Sequence, residues 1–263
     1  MKAFVKGVGL LGPGLDGWAA SRATLAGTAA YVHTTVAVPA AETLPAAERR
    51  RVGTLVKIAL AVGGAACADA GWPATSLVTV FTSSGGDGDN LNHLCETLAS
   101  RDRDISPTRF HNSVHNAAAG YWTIAARSHA ASTSLCGHDG GFAAGLLEAV
   151  AQVAATTAPV LLIAYDTPYP EPLNAVRPIS AMLGIALVLT AAPAGAHTAL
   201  TVSCDGRNRV PHVLPEPGLE ALRTGVPAGR GLPLLAALAR GEAAAVVLEY
   251  LKEYPLIVEV SPC

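Results

Sequence analysis

Cys136 is the residue of this sequence best placed to act as a nucleophile. The run Ser132–Cys136 is short and bounded by turn signals, which is typical of a buried strand, and apolar residues recur at helical spacing from Phe142 onward. We therefore predict that Cys136 lies where a strand ends and a helix begins. Backbone N–H groups and the helix dipole at such a position favour a thiolate and can stabilise an oxyanion.

The histidine nearest to this thiol in the sequence is His138, which precedes Asp139. A Cys–His pair can generate a thiolate nucleophile, so Cys136 and His138 are the candidate catalytic residues. Residues two apart at a turn often point in different directions. The alternative interpretation is therefore that Cys136 is an inert small residue.

A second pair of histidines, His111 and His115, has the four-residue spacing with which two helical side chains can bind a metal ion. No third ligand of matched spacing follows nearby, and Asn112 and Ser113 are typical of a loop or of the start of a helix. The five cysteines are scattered and form no C-x-x-C pair. We predict no metal site.

The elements that must position these residues alternate between strands and helices. Besides the strand that ends at Cys136, apolar runs predict strands at 2–10, 76–83, 159–165, 184–190 and 198–204. Helical patterns predict helices at 16–25, 48–70 and 117–127. The runs 246–249 and 256–260 flank a short turn and predict a C-terminal β-hairpin.

A glycine-rich turn follows the predicted strand 76–83. Such turns can bind phosphate, but the Walker lysine is absent and the G-x-G-x-x-G spacing does not fit. We predict a tight turn with Asp89 near a helix N-cap, followed by a helix whose inner face consists of Leu91, Leu94, Cys95 and Leu98. The Pro-rich run 166–178 is predicted to be a loop.

Composition narrows the class of protein. Of the 263 residues, 51% are hydrophobic, and a net charge of −2 provides no electrostatic basis for nucleic-acid binding. No apolar run reaches the length of a membrane span, and the first residues lack the pattern of a signal peptide. Together with the scattered cysteines, these features predict a reduced, cytoplasmic protein.

The organisation of the chain is predicted to be simple, because no long low-complexity linker divides it. We expect a single domain over 1–263. Its parts are a core at 1–204, a Pro/Gly-rich connection at 205–230 and a C-terminal extension at 231–263. Abundant Ala and Gly residues suit helices that pack closely against a sheet.

Three motifs between 107 and 149 follow one another: HNAAAG at 115–120, SLC at 134–136 and GLLEA at 145–149. They resemble the β-ketoacyl synthases of the thiolase-like class, in which a helix of small residues, a short strand with the nucleophilic Cys and a Gly-containing helix occur in this order. FHNSVHNAAAGYW and FAAGLLEA also resemble a family of short ketosynthase-like proteins called chain-length factors, which are found with aryl-polyene and xanthomonadin-type pigment synthesis.

The resemblance implies an α/β fold: a thiolase-like half, or truncated ketosynthase, whose mixed β-sheet is covered by helices and ends in a C-terminal β-hairpin. It implies dimerisation through the strand 132–136. The pocket and interface residues would be His111, Asn112, His115, Asn116, Ser134, Gly137 and Phe142. Implied partners are a full-length β-ketoacyl synthase and an acyl carrier protein. No cofactor is expected beyond the acyl-phosphopantetheine that the carrier delivers.

The spacing between the nucleophile and Gly145 differs by one residue from the usual ketosynthase pattern. Counting back from Gly145 with the usual ketosynthase spacing places the nucleophile at Gly137, and a one-residue insertion in the turn would reconcile this count with Cys136. Arg49, Arg50 and Arg51, at the start of the predicted helix 48–70, could dock an acidic carrier protein or form a solvated helix end.

The second half of a ketosynthase, with its His-Gly-Thr-Gly-Thr motif, is not recognisable. His197 and His212 lie outside such a context. Loss of an oxyanion-type donor typically lowers the rate about a hundredfold or more. We therefore predict a non-catalytic chain-length-factor subunit that pairs with a full-length ketosynthase. The alternatives are a small acyltransferase or thioesterase that uses Cys136, and a scaffold whose pocket is filled by side chains.

Overall fold

The computed structural model of this protein describes residues 1–204 and 208–263. Within these residues, nine strands form one mixed sheet. The strands are β1 Lys2–Gly12, β2 Leu15–Asp16, β3 Val78–Ser83, β4 Ser132–Cys136, β5 Val160–Asp166, β6 Leu183–Thr190, β7 Thr198–Ser203, β8 Ala244–Leu251 and β9 Tyr254–Pro262. The predicted strands and the C-terminal hairpin are confirmed, with small differences at their ends.

The order of the strands across the sheet is β4-β3-β5-β6-β1-β7-β9-β8, and β2 pairs with β1. β3 runs parallel to both of its neighbours, β4 and β5. The other pairings are antiparallel. Parallel strands end at the same edge of a sheet. The last residues of β3, β4 and β5, which are Ser83, Cys136 and Asp166, therefore lie side by side.

Ten α-helices in the described residues cover the sheet. They are α1 Trp18–Ala26, α2 Ala46–Arg49, α3 Thr54–Ala70, α4 Gly88–Ala99, α5 Pro107–Asn112, α6 Ala117–Ala126, α7 Gly141–Thr156, α8 Leu173–Val176, α9 Pro217–Gly225 and α10 Leu232–Arg240. Short 3-10 turns at His138–Gly140 and Pro227–Gly231 precede α7 and α10. The architecture is the predicted α/β sheet covered by helices.

The predicted helix 48–70 is wrong in one respect, because it is two helices. α2 ends at Arg49, and α3 begins only after Gly53, whose extended backbone (φ −78°, ψ 178°) interrupts the helical hydrogen bonds. The arginines therefore lie at the break and not on the first turn of a continuous helix.

One face of the sheet packs against α3 and α6. The residues that meet there are almost all small or aliphatic, and Phe81, Trp122 and Tyr165 fill the space near β3 and β5 with edge-to-face ring contacts. A Cβ atom at Gly7 or Gly9 of β1 would overlap the backbone of α3. Glycine at these two positions lets α3 lie directly on the sheet.

The opposite face packs against α7 and the C-terminal elements. Phe142, in the first turn of α7, is buried, and its ring occupies the space that a side chain at Gly231 would need. The predicted connection 205–230 includes residues 205–207, which lie outside the described residues, and it also contains α9, which was not predicted. α10 was likewise not predicted.

The glycine-rich turn leads to α4 as predicted, but its details differ. Asp87, and not Asp89, caps the helix by accepting a hydrogen bond from the Asn90 backbone N–H at 3.0 Å. The predicted inner face of α4 is wrong. Leu94 is buried, whereas Leu91, Cys95 and Leu98 are exposed. Of the four residues of the predicted inner face, only Leu94 therefore faces the core.

Candidate functional site

The candidate site lies where β3, β4 and β5 end. Cys136 is an exposed residue there, and its thiol donates a hydrogen bond to the backbone carbonyl of Ser84 at 2.8 Å. Ser84 follows β3 directly, and Ser83 is the register partner of Cys136 across the β3–β4 ladder. The predicted placement of Cys136, at the end of a strand and close to the start of α7, is what the structure shows.

His138 and Cys136 do not form the candidate catalytic pair, because their side chains contact other groups. Its backbone is left-handed, with φ of 50°, and its exposed imidazole lies with Nδ1 3.5 Å from Asp139 Oδ2. No hydrogen bond joins Cys136 to an imidazole within residues 1–204 and 208–263. The turn sends the two side chains in different directions, which the short spacing left open.

The imidazole that reaches this edge of the sheet belongs to His115. Its Nε2 lies 3.5 Å from Ser83 Oγ, and burial lowers the pKa of the ring. Paired residues of parallel strands project to the same face, so Ser83, Cys136 and His115 share one side of the sheet. The sequence predicted His115 as a pocket residue but not its contact with Ser83, because only the strand pairing brings the two segments together.

Asp166 is a functional candidate that the sequence reasoning missed. It is 4% exposed, and its Oδ1 and Oδ2 accept hydrogen bonds from the backbone N–H groups of Ser84 (2.7 Å) and Ala228 (2.8 Å). Burial raises its pKa to about 6, although these hydrogen bonds act in the opposite direction. An Asp before a Pro-rich run is typical of a loop, and no local pattern indicates that this one is buried.

A set of ion pairs fixes the turn that follows Cys136. Asp139 Oδ1 lies 2.7 Å from Arg177 and 3.9 Å from Arg230. Burial opposes ionisation of Asp139, but the hydrogen bond and charge of Arg177, with the charge of Arg230, outweigh it and lower its pKa. Arg230 Nε is also 2.9 Å from Glu249 Oε2, without hydrogen-bond alignment. The C-terminal residues thus contact the site.

The remaining predicted pocket residues fall into two groups. Gly137 and Phe142 lie beside Cys136 on the approach to α7, where a Cβ at Gly137 would come within 2.7 Å of the Gly141 backbone. Asn112 is buried away from the thiol. It donates to the Arg51 carbonyl at 2.9 Å and accepts from the Tyr121 hydroxyl at 2.8 Å.

The other members of the predicted set occupy the elements before and within β4. His111 belongs to α5, Asn116 immediately precedes α6 and makes no side-chain cap, and Ser134 pairs with Phe81 in the middle of the β3–β4 ladder. β4 itself is the outermost strand on its side of the sheet. Its outer edge has no strand partner within the described residues.

The segment that leads to this edge strand carries exposed apolar side chains. The helices α4, α5 and α6 belong to the segment that connects β3 to β4, and five large apolar residues of this segment are exposed. We call β4 with these residues the β4 face; they are Leu91, Leu98, Phe110, Val114 and Ile124. Of the helices in this segment, α6 contacts β4, and exposed apolar side chains are common at interaction surfaces.

The three consecutive arginines have different surroundings. Arg49 donates hydrogen bonds to the carbonyls of Glu42 and Leu44, and Arg51 pairs with Glu48 at 2.8 Å. Arg50 and Arg51 line a cleft of about 430 Å³ together with Arg109 and two acidic residues, Asp87 and Asp89. The structure therefore separates Arg49, which fixes its own loop, from the two arginines of the cleft.

Comparison with known proteins identifies the family. The family model described as β-ketoacyl synthase, N-terminal domain, matches residues 18–243. The chain belongs to this family. No curated protein matches it. The family assignment explains the succession of motifs around Cys136.

Solved structures show the same fold at low sequence identity. A chain of the ketosynthase ApeO in complex with its chain length factor ApeC, from Xenorhabdus doucetiae, is 20% identical, with 99% of each chain covered and a TM-score of 0.72. The ishigamide ketosynthase/chain length factor is 14% identical, with coverage of 100% of this chain and 99% of the other and a TM-score of 0.75. The predicted thiolase-like half is confirmed as the fold.

A third similar structure is titled AntDE:AntF, a type II polyketide synthase acyl-carrier protein in complex with its ketosynthase bound to the hexaketide. It is 11% identical, covers 100% of this chain and 99% of the other, and has a TM-score of 0.74.

Within the described residues of our protein, no three His, Cys, Asp or Glu side chains are grouped to hold a metal ion. None of the described helices has the length and apolar character needed to cross a bilayer.

Proposed function

We propose that this protein is a chain-length-factor-like subunit that pairs with a full-length β-ketoacyl synthase during polyene or fatty-acid-type chain elongation on an acyl carrier protein. The observation that carries the proposal is the β4 face, in which a strand edge without a partner among the described residues follows a segment with five exposed large apolar side chains. Two of the similar structures are complexes or pairs of a ketosynthase and a chain length factor, which agrees with such an assembly.

The surroundings of Cys136 support a non-catalytic role. A condensing enzyme needs imidazole or similar donors beside its thiol to stabilise enolate and oxyanion charge. Here the thiol donates to a backbone carbonyl instead. His212, which is remote in sequence, is engaged elsewhere, because its Nδ1 accepts the Val247 N–H at 2.9 Å. Full condensing chemistry would therefore be supplied by the partner subunit.

The β4 face supports a protein partner, because the free backbone groups of an edge strand are a template for pairing with another strand. The adjacent exposed side chains would supply the apolar contacts that usually dominate the centre of an interface. A partner seated there would cover Cys136 and His115 as well. Both subunits would then line the acyl pocket, and the residues that this chain contributes to the pocket could limit the length of the product.

The carrier protein is proposed to dock near the cleft lined by Arg50, Arg51 and Arg109, since carrier proteins of this type are usually acidic. Arg49 is removed from this proposal because its guanidinium already bonds two backbone carbonyls. A location in the cytoplasm, where ketosynthases and carrier proteins act, belongs to the same proposal.

Co-expression with a full-length β-ketoacyl synthase tests the proposal. We expect a heterodimer by size-exclusion chromatography with mass analysis. Phe110→Asp places a charge on the β4 face and should abolish the complex. Val213→Asp is a matched control, because Val213 is 64% exposed, like Phe110 at 66%, but follows His212 beside β8. A chain that remains a monomer and never alters product length would contradict the proposal.

A second function is favoured by the exposure of Cys136 at the start of α7. The chain would then be a small acyltransferase or thioesterase that uses this thiol. Incubation with a labelled acyl thioester should give a covalent acyl-enzyme, and Cys136→Ala should not become labelled. Equal labelling of both proteins would rule this function out.

A further inference from the structure

Asp166 connects three segments that are far apart in sequence. Its two carboxylate oxygens accept the N–H groups of Ser84, after β3, and Ala228, in the 3-10 turn before α10. The carbonyl of Ser84 in turn accepts the Cys136 thiol. We propose that Asp166 is a positioning residue for the Cys136 thiol and acts through the backbone of Ser84.

The backbone N–H, the hydroxyl and the backbone carbonyl of Ser84 each have a hydrogen-bond partner. Its N–H donates to Asp166 at 2.7 Å, its hydroxyl lies 3.1 Å from the Tyr169 hydroxyl, and its carbonyl accepts the thiol at 2.8 Å. Ser84 is buried, so water does not replace a lost partner easily. The direction of its carbonyl, and with it the direction of the thiol, therefore depends on the bond between its N–H and Asp166.

The second oxygen of Asp166 links this arrangement to the C-terminal segment. Ala228 lies two residues before Arg230, which interacts with Asp139 on the turn after Cys136. An ionised carboxylate has two oxygens that accept, whereas a protonated carboxyl group or an amide has one carbonyl oxygen and presents a donor on the other side. The ionised form accepts both N–H groups most strongly, a protonated carboxyl group accepts one of them only weakly through its hydroxyl oxygen, and an amide nitrogen does not accept at all.

The ionisation of Asp166 is governed by the groups around it. Desolvation raises its pKa to about 6, and the Ser84 backbone and side chain, the Ala228 N–H and the charge of Arg177 oppose that rise. The phenols of Tyr165 and Tyr169 also face it, and burial raises the pKa of both. Asp166 is thus ionised at neutral pH and becomes protonated as the pH falls through about 6.

Release of Ser84 should change the behaviour of the thiol. The S–H···O=C bond must break before the sulfur can attack an electrophile. When Asp166 no longer fixes the Ser84 peptide, its carbonyl can move and Cys136 becomes freer to react. A change of roughly three- to tenfold in rate corresponds to the net contribution of one hydrogen bond.

The test is alkylation of Cys136 by iodoacetamide between pH 5 and 8.5, followed by peptide mass spectrometry. Cys95, which is exposed on α4, serves as an internal reference in the same molecule. Asp166→Asn should raise the Cys136/Cys95 rate ratio by roughly three- to tenfold at pH 7.5. The difference from wild type should vanish below about pH 6, where wild-type Asp166 is itself protonated. Asp69→Asn is the matched control, because Asp69 on α3 also accepts a backbone N–H, that of Val8 on β1 at 2.8 Å, and the Cys136/Cys95 ratio of this variant should stay within roughly twofold of the wild type.

Two results would overturn the inference: a ratio in Asp166→Asn that equals the wild-type value at pH 7.5, or a difference that does not depend on pH. If Asp166→Asn fails to fold, the wild-type protein alone tests the inference. Its ratio of Cys136 to Cys95 alkylation rates should rise as the pH falls through about 6, and a ratio that stays constant would contradict the inference. This inference concerns the presentation of the thiol and holds whether or not the chain pairs with a ketosynthase.

Discussion

The two outer edges of the sheet are built differently. At one edge, β8 is closed by a residue from a loop: His212 donates its backbone N–H to Val247 at 2.9 Å and accepts the Val247 N–H with its ring, also at 2.9 Å. At the other edge, β4 has no such partner within the described residues, and the segment that leads to it exposes five large apolar side chains.

This difference shows which edge is available for association. Proteins usually block edge strands to prevent unwanted pairing. At β8, the ring and the backbone N–H of His212 occupy hydrogen-bonding groups of the strand edge. β4 carries neither a charged residue nor a Pro that would discourage pairing with another strand. The candidate site lies at the open edge, so a partner that pairs with β4 would also cover the candidate site, whereas one that pairs with β8 would not.

The largest effect is expected from covering the open edge. In the complex with a ketosynthase, the β4 amides that face outward should exchange with solvent deuterium on the order of a hundredfold more slowly than in the isolated chain. The β8 amides should not change. Hydrogen–deuterium exchange with mass spectrometry measures both strands in one experiment, and protection at β8 instead of β4 would reverse the comparison.

A second expected effect concerns stability near the β4 end of the sheet. The folded-state pKa of Asp166 is raised from 3.8 to about 6, so its contribution to stability is fully present below pH 4 and is lost as the pH rises through about 6. The change amounts to about 3 kcal/mol. Urea unfolding at several pH values should show this loss in the wild type and not in Asp166→Asn.

Glu220, nearer the β8 end of the sheet, should have the opposite effect on how stability depends on pH. The hydrogen bond from Arg223 lowers the pKa of Glu220. Its stabilising contribution is present above its unfolded pKa and is lost as the pH falls through the folded value. Glu220→Gln should therefore reduce the acid sensitivity of the protein, while leaving the pH 4 to 6 loss due to Asp166 in place. A variant that removes both trends would show that the two ends are coupled.

The smallest effect is expected from opening the closed edge. His212→Ala removes the ring that accepts the Val247 N–H and should cost about 1 kcal/mol, measured by thermal or urea unfolding. His212→Asn offers a side-chain oxygen as a substitute acceptor and serves as the matched control. Self-association of the alanine variant through β8 would show that His212 blocks this edge, whereas unchanged stability would show that it contributes little.

Much of this architecture was predictable from local patterns. Alternating and continuous apolar runs located the strands, and the motifs around Cys136 located the turn into α7. Predictions failed where local and tertiary signals disagreed. The apolar residues of α4 predicted an inner face, but only Leu94 is buried, because periodicity alone does not show whether an apolar residue meets a core or solvent. Gly53 broke a helix that periodicity alone continued.

The sequence by itself determined the order of elements, the strand-to-turn position of Cys136 and the family to which the chain belongs, because these follow from local periodicity and contiguous motifs. Only the tertiary structure decided that Cys136 bonds the Ser84 carbonyl, that His115 shares its face, and that Asp166 is buried between Ser84 and Ala228. These contacts join residues that are 32 to 82 positions apart, from Ser83–His115 at the lower limit to Ser84–Asp166 at the upper one. They arise from strand pairing and packing, which no local pattern of residues encodes.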